Sequence, residues 1–272
     1  MRTEDISSKK ISIFQRKILD FYSHQGRDLP WRKTQDPYKI LLSEFMLQQT
    51  QVSRVISFYN EWITKWPTIK ELATASFIDV LQAWMGLGYN RRARYLHDTA
   101  RIIVSDYNGN VLKAIEHCKT LPGIGKYTGR AVRIFAANED IATVDTNIRR
   151  IFIYEFDLPQ NISDKCLFDL AQQALPPGKS RDWHNALMDY GSLQLTALKT
   201  NIKPKTSQSK FEGSDRQIRG KLLRLLLSDA QNLESLQQNI SIDPSRLDRI
   251  LTTMIREEVI TYDDGKYQIS KT

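Results

Sequence analysis

Between about residue 13 and about residue 198 the apolar positions recur at helical intervals, and few β-branched runs alternate at period two. Ile13, Ile18, Leu19 and Tyr22 predict a first amphipathic helix. The run Arg27-Asp28-Leu29-Pro30-Trp31-Arg32 breaks it, because proline cannot continue a helix interior. Tyr38 to Trp62 predicts one or two helices, with Ile40, Leu41, Phe45, Leu47 and Val52 as apolar positions. Phe77, Val80, Leu81 and Trp84 form another stripe, ended by Gly86-Leu87-Gly88. Arg91 to Ser105 reads as helix and Asp106 to Asn110 as a turn. The pattern predicts a mainly α protein, a helical bundle without a sheet-based core.

The pattern changes at residues 199–212, which are polar, basic and poor in large apolar side chains and read as a linker. A second unit follows over 213–272. Helices are expected over Ile218–Leu227 and Leu233–Ile240, and a third is expected to start at Asp243-Pro244, with Asp243 as N-cap and Pro244 first inside. Val259–Tyr262 and Lys266–Ile269, joined through Asp263-Asp264-Gly265, predict a β-hairpin. Three helices and a hairpin resemble a winged helix.

Composition narrows the partners. The chain of 272 residues has net charge +8 and a pI of about 9.4. Such a surplus favours a polyanion, since binding releases counterions; charge alone leaves a merely basic soluble protein open. The two cysteines, Cys118 and Cys166, exclude a disulfide framework and a four-cysteine metal site within this chain. His24, His97, His117 and His184 show no ligand spacing. There is no bilayer-length apolar run and no signal-peptide core, so a reduced, cytoplasmic protein is expected.

The most specific chemistry lies in Leu121-Pro122-Gly123-Ile124-Gly125-Lys126-Tyr127-Thr128, followed by Val144-Asp145-Thr146-Asn147. The first stretch reads as a tight turn opening a helix, with Gly123 and Gly125 permitting positive φ and close backbone approach. Open N–H groups at a helix start suit a phosphate. A carboxylate some twenty positions on suggests chemistry on a nucleic acid.

These motifs resemble the helix-hairpin-helix and Gly/Pro…Asp signature of base-excision DNA glycosylases. Leu29-Pro30-Trp31-Arg32, Asp36-Pro37-Tyr38, Ser43-Glu44-Phe45-Met46-Leu47-Gln48-Gln49-Thr50-Gln51-Val52 and Gly86-Leu87-Gly88-Tyr89 with Arg92-Ala93-Arg94 look like the MutY-type adenine glycosylases in particular. The match spans residues from about 14 to about 195. It implies a helix-hairpin-helix glycosylase fold with the active-site cleft between two helical subdomains, one over about 30–135 and one from 1–29 with 136–198. The partner it implies is duplex DNA bearing an adenine mispair, bound by a monomer in the nucleoid, with no membrane involved.

The resemblance assigns roles. Asp145 stabilises the positive charge that develops on deoxyribose as the N-glycosidic bond breaks; a plain helix N-cap is compatible with that. Glu44, in the apolar setting of Phe45, Met46 and Leu47, protonates adenine and activates water, against the alternative of a solvated helix residue. Tyr127 stands where bifunctional relatives carry a Schiff-base lysine, which implies a monofunctional enzyme. Lys126 is expected to point elsewhere, and Tyr127 to hydrogen-bond near the sugar or Asp145. Asn147 either orients Asp145 or satisfies its own helix start. Gln49 and Thr50 resemble residues that enter the duplex, and Leu47 and Tyr89 resemble wedges, with core packing an equal reading. Arg27 and Arg32 either line the adenine pocket or form exposed salt bridges. Gly123, Gly125, Lys126 and Thr128 are expected at a DNA phosphate, with a monovalent cation as in relatives.

Two departures stand out. The family's four cluster thiols fall on Leu195, Ile202, Lys205 and Phe211, counting from the landmark His184–Gly191, so no iron–sulfur cluster is expected. Packing by Leu195 and Ile202 is the expected replacement. The roughly 60 residues from Gly213 are also too few for the Nudix-like domain that reads 8-oxoguanine in typical relatives. Arg216, Arg219, Lys221 and Arg224 are offered instead as a duplex grip. A thymine or uracil mismatch glycosylase, and an idle DNA-binding protein, are the competing readings.

Overall fold

A computed structural model describes residues 6–117, 121–205 and 209–271. Met1–Asp5, Cys118 and the segment 206–208 therefore lie outside the described residues, as does Thr272. The described chain is helical except for one two-stranded hairpin, as the periodicity predicts. It divides into two compact units.

The first unit comprises Met1–Glu44, Ile115–Lys119 and Ile124–Ser207. It contains α1 (Ser8–Gln25), most of α2 (Pro37–Leu47), α8 (Lys126–Ala137), α9 (Thr146–Phe156), α10 (Asp164–Gln173), α11 (Ser180–Leu193) and α12 (Ala197–Thr200). Ser7 starts α1 by accepting from the Lys10 amide. The buried face of α1 is Ile11, Phe14 and Ile18, whereas Ile13 is 58% exposed. The stripe is thus one residue out of phase with the sequence reading at its first position, because Ile11 and Phe14 complete the i, i+3, i+7 row to Ile18. Phe14 anchors the core, meeting Phe152, Phe156 and Trp183 edge-on with centroids 5.4, 5.0 and 5.5 Å away.

The segment expected to be a linker is partly structured. α12 is capped by Thr196, Ile202 is buried, and Lys205 pairs with Asp164. Leu195 and Ile202 both join the core of this unit.

The second unit comprises Phe45–Ala114, Thr120–Gly123 and Gln208–Thr272. It holds α3 (Val52–Lys65), α4 (Ile69–Thr74), α5 (Phe77–Trp84) and α6 (Arg91–Tyr107), then α13 (Asp215–Ser228), α14 (Leu233–Asn239), α15 (Pro244–Arg256), β1 (Ile260–Asp263) and β2 (Lys266–Ile269). α7 (Val111–Glu116) runs from this unit into the first. All four residues of the α5 stripe are buried. Asp243 caps α15 through the Arg246 amide, with Pro244 first inside. The strands pair antiparallel, and Asp264 and Gly265 turn the hairpin at φ 46° and 73°, as a two-residue loop requires.

Gln208–Thr272 belongs to the same compact unit as Phe45–Ala114. Polar pairs within this unit include Arg94 with Glu258 at 3.3 Å, Arg91 with Glu257 at 3.9 Å, and Arg216 with the Tyr89 hydroxyl at 2.7 Å.

Candidate active site

Glu44, Tyr127, Asp145 and Asn147 all belong to the first unit, and their charges act on one another. α9 starts at Asp145, whose Oδ1 accepts from the Ile148 amide at 2.7 Å. Both readings of this residue hold locally: it caps the helix while Oδ2 remains directed toward Asn147. Arg150 fixes the Asn147 side chain. Its Nη2 donates to Asn147 Oδ1 at 2.6 Å, and a guanidinium has only donors, so Asn147 must turn its Nδ2 to Asp145 Oδ2, 3.3 Å away. Arg150 is itself held by the Gly191 and Leu195 carbonyls at 2.8 and 2.5 Å. A Cβ on Gly191 would come within 2.9 Å of Asn147 Cβ, so only glycine lets α11 approach α9 this closely.

Burial raises the carboxyl of Asp145, opposed by the amides of Ile148 and Asn147 and by Arg150; the net direction is upward. Glu44 is displaced much further. It sits 8% exposed in α2, and burial, followed by the Asp145 charge, pushes its carboxyl up to about 8. At neutral pH Glu44 thus keeps its proton, as an acid beside Asp145 would have to. Burial, then Glu44 and Asp145, also push the Tyr127 phenol far upward, so it stays neutral. Among the described residues no hydrogen bond joins Tyr127 to Asp145, one of the two partners expected for it beside the sugar. Lys126 is exposed, as expected.

Arg27 and Arg32 form neither exposed salt bridges nor isolated charges. Both grip Asp189, which is 0% exposed: Arg27 through its amide and Nε at 2.8 and 2.6 Å, Arg32 through two Nη bonds at 2.7 and 2.8 Å. Burial pushes Asp189 upward, but these arginines outweigh it and hold the carboxyl below its ordinary value.

The hairpin turn is built differently at its two glycines. Gly123 lies at φ 72°, and a Cβ there would meet Phe45 and Tyr95 within 3 Å. Gly125 is the N-cap of α8 at φ −90° with open space around it, so it needs no positive φ, contrary to the sequence reading. No side chain caps α8, which leaves its first-turn amides facing outward. The Thr128 side chain is buried, so a phosphate there would meet the backbone, not the hydroxyl.

Within the second unit, Arg92 organises the residues expected to enter a duplex. It is 7% exposed and donates to the carbonyls of Phe45, Met46, Gln48, Leu87 and Gly88 and to Thr50 Oγ1. Gln49 and Tyr89 both adopt left-handed φ, 57° and 49°, a conformation that costs a non-glycine residue about 1 kcal/mol or more. Gln49 is exposed, and Leu47 and Tyr89 are half-buried rather than core. The sequence reading did not assign roles to Arg92, Arg150, Asp189 or Gly191. Arg92 lay within a quoted motif, but nothing in spacing alone announces six oxygen partners.

No cluster of His, Cys, Asp or Glu able to hold a metal occurs among the described residues. At the positions where the family places thiols, Leu195 and Ile202 are buried, Lys205 is ion-paired and Phe211 is 59% exposed. These residues do not fit an iron–sulfur cluster. No helix of the described residues is long and apolar enough to cross a membrane.

Comparison with known proteins places the chain in a family. The profile of the HhH-GPD superfamily base excision DNA repair protein matches residues 42–177. An adenine DNA glycosylase of Mycolicibacterium smegmatis is 35% identical over 96% of this chain and 97% of its own length. The adenine DNA glycosylase of Homo sapiens is 35% identical over 69% of this chain but only 37% of its own. A solved thermostable thymine-DNA glycosylase superposes with TM-score 0.66 and 33% identity, covering 72% of this chain and 91% of that one. The chain belongs to the HhH-GPD superfamily of base excision DNA repair proteins, on its MutY-type side.

Proposed function

We propose that this chain is an adenine DNA glycosylase, acting on adenine opposite 8-oxoguanine or guanine in duplex DNA and leaving an abasic site. The reading is carried by the buried Glu44 carboxyl, pushed up to about 8 by burial and then by the Asp145 charge. Adenine leaves poorly as an anion, so Glu44 gives a proton to its ring as the glycosidic bond lengthens. Asp145 stabilises the cationic sugar that results, held in place by Ile148 and Asn147. Glu44, now an anion, then takes a proton from the attacking water. Tyr127 has no amine with which to form a Schiff base, so strand cleavage does not follow.

The uncapped start of α8, with Gly123, Gly125 and Lys126, suits a DNA phosphate, alone or through a monovalent cation. Gln49, Thr50, Leu47 and Tyr89 fill the space beside the extruded base. Arg27 and Arg32 shape the base pocket by fixing Asp189. Leu195 and Ile202 serve in place of an iron–sulfur staple, and the protein works as a monomer in the cytoplasmic nucleoid. The 213–272 segment acts as a winged-helix-like element that touches DNA through the exposed Lys221 and Arg224.

A thymine or uracil mismatch activity is the second reading, favoured by the 33% identity to the thymine-DNA glycosylase. Tyr127 and Asp145 would serve both; the Gln48-Gln49-Thr50 run and the raised acid at Glu44 favour adenine. The test is product analysis on a duplex with adenine opposite 8-oxoguanine. Free adenine is expected, with the strand intact until alkali and no adduct trapped by borohydride. Strand breaks without alkali, or a trapped adduct, would contradict a monofunctional enzyme.

A further inference from the structure

Inside the second unit a cavity of about 300 Å³ is lined by residues from far apart in the sequence, among them Gln48, Gln49 and Tyr89, and Arg216, Arg219 and Glu257. Gln49, expected to enter the duplex, and Tyr89, expected as a wedge, both adopt left-handed φ. Strain of this kind persists only where the surroundings enforce it.

At Tyr89 the enforcement comes from α13. Arg216, in its first turn, donates Nη1 to the Tyr89 hydroxyl at 2.7 Å and places its guanidinium 5.1 Å from the ring centroid. Nη2 donates to the Ser209 carbonyl at 2.6 Å. These two bonds use two of the five N–H groups of a guanidinium. Arg219 lines the same cavity but is paired with Glu257. Among the described residues no carboxylate pairs with Arg216. A half-buried cation with spare donors, seated on an aromatic face, suits a flat ring with paired acceptors.

We propose that Arg216 is a specificity-determining residue whose guanidinium donates to the acceptor edge of the purine left opposite the excised base. This rests on the proposed adenine glycosylase function. Guanine offers O6 and N7 together to a donor fork of this kind, whereas 8-oxoguanine, protonated at N7, accepts from it at O6 or at O8 singly. The 213–272 segment thereby contributes to reading the opposite strand through one side chain. Phosphate is the competing ligand for an arginine, and its contact would not depend on the base.

The test compares wild type, Arg216→Ala and Arg216→Lys on adenine opposite 8-oxoguanine, opposite guanine and opposite a tetrahydrofuran abasic analogue. Single-turnover excision is measured, and binding is measured with a 2′-fluoro-adenosine that resists excision. Arg216→Ala should weaken binding and excision about tenfold or more on both purine duplexes and by less than about twofold on the abasic one, the range expected for one lost base contact. Lysine should restore only part, lacking the planar fork. The loss should persist in a Tyr89→Phe background, where the hydroxyl tether is gone. Equal losses on all three duplexes, no loss, or no further loss once Tyr89 is Phe would overturn the proposal. Wild type that releases no adenine anywhere would refute the glycosylase reading, while the binding ratios would still decide the role of Arg216.

Discussion

Replacing Glu44 with Gln should stop base excision, by more than about a thousandfold in single-turnover rate, while leaving duplex affinity nearly unchanged. The amide keeps the shape and the hydrogen-bonding size of the acid but has no proton to give. Wild-type excision should also fall as pH rises through about 8, where Glu44 loses its proton. The same shift predicts a stability effect with a definite sign. In the unfolded chain the carboxyl ionises at its ordinary value, near 4.5; in the folded protein it holds its proton to about 8. The folded state therefore binds more protons across that window, and stability falls as pH rises through it. Glu44→Gln removes this loss, so the variant should be more stable than wild type at pH 8 and above, on the order of a few kcal/mol, and equal to it near pH 4. Urea denaturation at the two pH values measures this. Unchanged excision in the variant would remove Glu44 from the mechanism. Loss of activity together with lower stability at pH 8 would show a damaged fold instead.

Asp145→Asn should lower excision by about a thousandfold, because the anion opposite the developing sugar cation is lost. Asparagine is as good an N-cap as aspartate, so α9 should remain intact and the melting temperature should hold. The variant also tests the coupling between the two carboxyl groups. The Asp145 charge contributes to the raised value at Glu44, second to burial. Without it, the alkaline fall of the residual rate should move to lower pH. A residual rate whose alkaline limb stays in place would show that Asp145 and Glu44 do not sense each other, and an unimpaired rate would mean that Asp145 only caps its helix.

Much of this site is legible in the sequence because its parts are local. Asp145 two residues before Asn147, the Gly123 turn and the Asp243-Pro244 start are set by neighbours within one helical turn, and each stands where the pattern puts it. What the sequence hides is non-local. Arg150 looks like a surface residue of α9 until Gly191 and Leu195 are seen to receive it. Asp189 looks like an ordinary polar residue of α11 until Arg27 and Arg32, more than 150 positions earlier, close on it. On α1 only Ile13 departs from the expected stripe: it is exposed, while the buried row runs through Ile11, Phe14 and Ile18. The C-terminal segment groups with residues from Phe45 onward and pairs there at points such as Arg94–Glu258, and charge pairing across such separations leaves no trace in spacing.

The central claim is that the paired carboxyl groups remove adenine rather than a pyrimidine. Single-turnover base release from duplexes carrying 8-oxoguanine:A, G:A, G:T, G:U and A:T tests it most directly. Release of adenine from the 8-oxoguanine:A and G:A duplexes, with the other three left intact, is the predicted result. Release of thymine or uracil from G:T or G:U with adenine untouched, or no release from any of the five despite tight binding, would contradict it.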